Sequence, residues 1–128
     1  MDLFDSTELT LTAAMRGATA RQQALSDNLA NVDTPGYVRK DVDFHDALKA
    51  ALAGSTGATP TAGASSLDGM SFTAQPDSSS TAMRVDGNSI DIDKESSSLA
   101  QNALEYQSLE QVARSRIEIL QSAMGAGT

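Results

Sequence analysis

Residues 11–32, with the sequence LTAAMRGATARQQALSDNLANV, decide the fold of this chain. Apolar residues recur there at alternating spacings of four and three, interrupted only by the polar Gln22. This is the 3.5-residue repeat of a helix that pairs with another helix. We therefore predict a long helix over about residues 6–32, with an assembly seam formed by Leu11, Met15, Ala18, Leu25, Leu29 and Val32.

The first helix is expected to end at the sequence Asp33-Thr34-Pro35-Gly36. A proline disfavours the helical conformation of the residue before it, so Thr34 should leave the helix. Pro35 and Gly36 suit the two central positions of a type II turn, because glycine readily adopts the positive φ that the second position requires. The sequence therefore predicts a turn of fixed direction directly after the helix.

A second helix of the same kind is predicted near the other end of the chain. Asp91 or Asp93 suits its N-cap, and Gly125 and Gly127 suit its end. Glu110 occupies one position of its repeat. The other seam positions are Leu99, Ala103, Tyr106, Ala113, Ile117, Leu120 and Met124.

The two seams have similar lengths and lie at opposite ends of the chain. We therefore predict an all-α fold in which two long terminal helices pair as an antiparallel coiled-coil-like hairpin around a non-helical, partly extended or flexible middle segment. Two helices alone rarely give a stable monomer. Leu109, Val112 and Ile119 widen the second stripe, so more than one partner helix is expected, as in a subunit of an assembly.

The segment between the helices has a different composition. Residues 38–44 alternate apolar and charged side chains, which favours a short extended segment before a brief helix that Gly54 closes. Of the 29 residues from 54 to 82, 23 are Gly, Ser, Thr, Ala or Pro, which is typical of a flexible or extended insert. We expect Leu67, Met70 and Phe72 to anchor it to a neighbour. The chain is thus divided into residues 1–37, 38–53, 54–82 and 83–128.

The overall composition disfavours several classes of protein. With 17 acidic and 9 basic side chains the formal net charge is −8, so binding to nucleic acid or to anionic lipid is not expected. No apolar stretch approaches the roughly 18–20 residues that span a bilayer, so membrane insertion is not expected either. The N-terminal sequence MDLFDSTE lacks the basic and apolar regions of a cleaved signal peptide.

The residues that carry most enzyme chemistry are absent or isolated. Cysteine is absent, and His45 is the only histidine, so we interpret it as a surface residue and not as a metal ligand. The acidic run from Asp86 to Glu95 does not fit a calcium loop, because Asp91 stands where glycine is required and Ser97 where the bidentate glutamate belongs. Neither a phosphate-binding glycine loop nor a nucleophile elbow occurs. We therefore expect no enzymatic activity and no cofactor.

Residues 26–37, SDNLANVDTPGY, closely resemble the N-terminal signature of the flagellar rod and hook proteins. The following Arg39–Phe44 resembles the members that form the proximal rod, as do Arg84–Asn88, Asp91–Glu95 and Asn102–Gln107. The resemblance covers about residues 10–48 and 84–124. Its motif residues are Asn28, Asn31, Thr34, Pro35, Gly36 and Tyr37.

The resemblance implies a structural subunit that the flagellar type III apparatus exports without a cleaved signal peptide. The subunit would assemble in the periplasm with copies of itself and other rod proteins, next to a rod adaptor protein and the membrane ring. Its terminal helices would line the hollow shaft that transmits torque and passes later subunits.

Two points stay open at the level of sequence. Phe44 and Leu48 resemble an element recognised at the export gate, but residues four apart on a helix are also ordinary packing neighbours. A soluble coiled-coil adaptor, or another rod or hook protein of the same family, is the alternative function.

Overall fold

The computed structural model describes residues 2–54, 67–77, 85 and 87–125. They form three helices and one pair of very short strands. In chain order these are α1 (Asp2–Ala30), β1 (Lys40–Asp41), α2 (Phe44–Gly54), β2 (Gln75–Pro76) and α3 (Ile92–Gly125). Within the described part of the chain, no helix is both long and apolar enough to cross a membrane.

Helices α1 and α3 pack side by side and run in opposite directions. Asn28, near the end of α1, contacts Glu95 at the start of α3, and Ala18 contacts Asn102 further along. With 29 and 34 residues, the two helices are about 43 and 51 Å long. The predicted all-α fold with two long terminal helices in an antiparallel hairpin is confirmed.

The end of α1 differs slightly from the prediction. The helix spans residues 2–30 instead of about 6–32. It ends two residues earlier than predicted because its last turn tightens: the Val32 amide donates to the Leu29 carbonyl at 3.3 Å. The predicted type II turn follows. The Tyr37 amide donates to the Thr34 carbonyl at 3.3 Å, and Gly36 has a φ of 70°. Glycine adopts this φ without the steric strain that a Cβ atom brings.

The apolar core lies where the middle segment packs against α1. Phe44, the first residue of α2, is 1% exposed and lies directly on Gly17. A Cβ atom at Gly17 would stand 2.5 Å from the Phe44 ring, so only glycine lets the two segments approach this closely. The ring of Phe72 meets that of Phe44 edge-on, with centroids 6.2 Å apart. Burial of a phenylalanine contributes about 1.5–3 kcal/mol to such a core.

The predicted extended segment contains the two-residue strand β1. It pairs antiparallel with β2, with Lys40 opposite Pro76 and Asp41 opposite Gln75. β2 belongs to residues 67–77, the described part of the predicted insert. Leu67 is 2% exposed, and Arg16 of α1 donates to the Asp68 carbonyl at 3.0 Å, so this part anchors to α1 of its own chain. The remainder of the insert, residues 55–66 and 78–82, lies outside the described residues.

Candidate functional site

The seam predicted on α1 faces the interior to different degrees along its length. Ala18 and Leu25 are fully buried. The other four predicted seam residues of this helix are half-buried, namely Leu11, Met15, Leu29 and Val32. The centre of the α1 seam is therefore covered within the subunit, and its two ends are only partly covered.

The seam predicted on α3 is less covered. Leu99, Ala103, Tyr106, Ala113 and Leu120 are half-buried, whereas Ile117 and Met124 are 54% and 72% exposed. A second set of exposed apolar residues comprises Leu104, Val112 and Ile119. At 100° per residue the two sets lie on different sides of α3. We call these five residues the exposed stripes.

Asn28 of the motif connects three segments. Its amide nitrogen donates to the Lys40 carbonyl at 2.7 Å and to a Glu95 carboxylate oxygen at 3.0 Å. Its amide oxygen accepts from the Lys40 amide at 2.9 Å. Because Asn28 is fully buried, these bonds satisfy a side chain that would otherwise be costly to bury. Asn28 therefore joins α1 to β1 and to α3.

The other motif residues build the turn. Asn31, half-buried, donates to the Asp27 carbonyl and accepts from the Thr34 hydroxyl, which closes the end of the helix. Thr34, Pro35 and Gly36 are exposed, and Tyr37 is half-buried. The turn is thus held from its helical side and open to solvent at its tip.

A second turn, around Gly87 and Asn88, locks onto the first. The buried Asn88 amide nitrogen lies 2.8–3.2 Å from the carbonyl oxygens of Asn31, Val32 and Thr34, which lie just beyond the end of α1. Gly87 has a φ of 79°, and a Cβ atom there would lie 3.7 Å from the Cα of Gly36. The segment that begins the C-terminal half thus caps the N-terminal helix.

A buried ionic cluster lies beside these turns. Arg39 forms ion pairs with Glu95 of α3, with Asp77 at 2.6 Å and with Asp41 at 3.0 Å. Asp41 is paired in turn with Arg21 of α1, at 3.0 Å. The side chains of Arg39 and Glu95 are 5% and 0% exposed. We call these five residues the Arg39 cluster; it joins α1, both strand segments and α3.

Two pKa values reflect the pairing in this cluster. Burial alone would lower the pKa of the Arg39 guanidinium, but its hydrogen bonds and charge interactions with Glu95 and Asp41 raise that pKa above the ordinary value. Burial likewise tends to raise the pKa of Asp41. The Val42 amide and the guanidinium groups of Arg21 and Arg39 outweigh that effect, so the pKa of Asp41 lies below its ordinary value. Both groups are therefore held in their charged forms.

The helix α2 carries the residues proposed as an export element. Phe44 is buried in the core and Leu48 is half-buried. The neighbouring His45, 54% exposed, contacts the carboxylate of Glu105 on α3 at 2.5 Å. A cleft of about 620 Å³ lies nearby. Of its polar lining residues, Arg21, Asp41 and Asp77 form ion pairs within the subunit, His45 contacts Glu105, and Asp43 accepts from the Asp46 amide at 3.3 Å. Among the residues that the structure describes, no cluster of His, Asp and Glu is arranged to hold a metal ion.

Sequence reasoning missed several residues that hold the fold together: Gly17, Arg39, Asn88, Glu95 and Asn102. Glu95 and Asn102 lie in the 3–4 repeat of α3, four residues before and three after Leu99. Both are polar, so a repeat of apolar residues does not include them. A glycine inside a helical repeat, as at residue 17, signals a close approach of another segment.

Comparisons with known proteins identify the family to which the chain is related. Residues 9–37 match the family model described as flagella basal body rod protein. The flagellar basal body rod protein FlgB of Yersinia enterocolitica is 34% identical over 84% of this chain and 85% of its own length. The FlgB proteins of Bacillus subtilis and Escherichia coli are 30% and 34% identical, over 99% and 68% of this chain and 99% and 70% of their own lengths. The chain therefore belongs to the FlgB family of flagellar basal body rod proteins, and it is a structural component and not an enzyme.

Proposed function

We propose that this subunit builds the proximal rod of the flagellum by packing the exposed stripes of α3 against copies of itself and against other rod proteins. The observation that carries the proposal is the exposure of these residues, between 54% and 72% in one described helix. Apolar side chains gain about 25 cal/mol per Å² when they leave water. Stripes on two sides of α3 favour contacts with more than one neighbouring helix, as a tubular wall requires.

The contact between the Pro35–Gly36 turn and the Gly87–Asn88 turn supports a mechanical role for the subunit. In the assembled rod the terminal helices would form the wall of a hollow shaft that transmits torque and lets later subunits pass. The Arg39 cluster and Asn88 tie the ends of α1 and α3 to the middle segment through buried contacts. Such contacts would hold the angle between the helical pair and the middle segment while the shaft is under load.

The proposal includes a route of delivery. The flagellar type III apparatus would export the subunit, without a cleaved signal peptide, to the periplasm, where it would meet the membrane ring and the rod adaptor protein. Phe44 and Leu48 would be recognised at the export gate. Because Phe44 is 1% exposed in the folded subunit, this recognition requires an unfolded or partly folded chain.

The test separates assembly from delivery. Ile119→Asp places a carboxylate in the proposed interface and should block rod assembly, whereas Gln121→Asp adds the same charge at an exposed polar position and should assemble normally. Phe44→Ala combined with Leu48→Ala should instead accumulate in the cytoplasm. The measurement is the amount of each variant in cytoplasm, periplasm and purified basal bodies of a strain that lacks the native subunit.

Several outcomes would contradict the proposal. Normal rods with Ile119→Asp would show that the exposed stripes are not an interface. Normal export of the Phe44/Leu48 variant would remove these residues from gate recognition. A stable dimer or tetramer of the wild-type chain at micromolar concentration, together with no export, would favour the soluble coiled-coil adaptor.

A further inference from the structure

The interface between α1 and α3 contains an unusual choice of buried residues. In the whole of α3 the buried side chains are Glu95 and Asn102, both polar, while its apolar seam residues are half-buried or exposed. On α1 the predicted seam is apolar at every position except Gln22. An apolar repeat with a period of seven residues offers a comparable set of contacts after a shift of one heptad. The apolar repeat alone therefore leaves more than one way for α3 to lie along α1.

The two buried polar residues lie one heptad apart and have different partners. Glu95 accepts hydrogen bonds from Asn28 and Arg39. Asn102 donates to the Ala18 carbonyl at 2.9 Å and to the Gln22 side-chain oxygen at 2.8 Å. A charged group thus faces a cation at one position, and a neutral amide faces two oxygen acceptors at the other.

A slip of one heptad in either direction breaks this match. One slip brings Asn102 to the place of Glu95 and deprives Arg39 of a carboxylate. The opposite slip brings Glu95 to the place of Asn102, where a buried carboxylate meets the Ala18 carbonyl and no cation. A buried charge without its partner is strongly unfavourable.

Asn102 also leaves one of its own polar atoms unsatisfied. Its amide oxygen is buried and accepts no hydrogen bond from the described residues. Rotating the amide does not help, because its oxygen would then face the two oxygen acceptors that its nitrogen now serves. A residue chosen for stability alone would be apolar here, as polar residues at helix seams fix register at some expense of stability.

We propose that Glu95 and Asn102 are the register-determining residues of the α1–α3 hairpin, and that together they exclude arrangements slipped by one heptad. The register decides where the exposed stripes of α3 stand relative to α1 and to the turns. A slipped subunit would present its stripes about 10 Å away from their native height.

The absence of cysteine makes the register directly measurable. Ser26→Cys and Gln111→Cys place two spin labels at exposed positions of α1 and α3 in the full chain, and double electron–electron resonance gives the distance between them. The variant Asn102→Leu is compared with Gln101→Leu, which introduces leucine in place of the amide side chain of the exposed neighbouring residue. Glu95→Gln with Asn102→Leu removes both register-determining groups.

The wild-type chain and Gln101→Leu should give one predominant distance. Asn102→Leu should add a second distance, displaced as a slip of about 10 Å requires, with a population about tenfold above that of the wild type. The double variant should increase that population further, while circular dichroism shows that the helices persist. A single native distance in both variants would overturn the proposal. So would loss of helix without a second discrete distance, because these residues would then provide stability and not register.

Discussion

Replacing Glu95 by alanine tests the Arg39 cluster most directly. The substitution removes the carboxylate that accepts from Arg39 and, at 3.0 Å, from Asn28, in a place where the Glu95 side chain is 0% exposed. Two hydrogen bonds to a charged group contribute roughly 1.5–3 kcal/mol each. Relief of the cost of burying the carboxylate offsets part of the loss, and Arg39 keeps Asp41 and Asp77. We expect a loss of about 3 kcal/mol, at the lower end of the range for broken buried pairs.

The chain offers a matched control on the same helix. Glu110 pairs with Arg114 one turn away, with side chains 41% and 73% exposed. Glu110→Ala should therefore change the free energy of unfolding by at most about 1 kcal/mol. Urea unfolding followed by circular dichroism measures both variants against the wild type. Equal midpoints for Glu95→Ala and Glu110→Ala would refute the view that the Arg39 cluster holds the two helices together.

Three further predictions concern single residues. Gly17→Ala should destabilise the subunit because the new Cβ atom would stand 2.5 Å from the Phe44 ring, whereas Gly69→Ala, which meets open space, should not; thermal unfolding compares the two. Gly36→Val should cost about 1–2 kcal/mol or more through its positive φ and should impair swimming motility; normal motility would contradict this. The folded-state pKa of Asp41 lies below its unfolded value near 3.8, so the stability it contributes is present above that pH and is lost as the pH falls through the folded-state pKa. Urea titrations between neutral and acid pH should show a shallower acid loss in Asp41→Asn.

The helices could be predicted from the sequence because their signal is periodic and local. Leu25 and Ala18 are identified by spacing alone, and the Pro35–Gly36 turn by the conformational limits of two residue types. Asp91, one of two predicted caps, does cap α3: its carboxylate accepts from the amides of Asp93 and Lys94. Each of these features depends on residues within one or two turns of each other.

The Arg39 cluster could not be predicted in this way. Its partners lie 38 residues away at Asp77 and 56 away at Glu95, and a sequence alone does not show which of 17 acidic side chains a given arginine will meet. The strand β2 could not be predicted because a strand of two residues shows no alternation of apolar and polar side chains. Its Ser- and Thr-rich surroundings also resemble a linker. The predicted seam contains Ala103, which is apolar, in place of its neighbour Asn102, which is polar but buried.

Because the Arg39 cluster is buried, its ion pairs should depend little on the salt concentration around the subunit. Dissolved salt weakens interactions between exposed charges over a Debye length of about 8 Å at physiological ionic strength, but it screens buried pairs much less. The pair between Glu110 and Arg114 should therefore weaken as salt rises, while the ion pairs of Arg39, whose side chain is 5% exposed, should persist. For a shaft proposed to work outside the cytoplasm, the angle between its helical wall and its middle segment would then change little with the salinity around the cell.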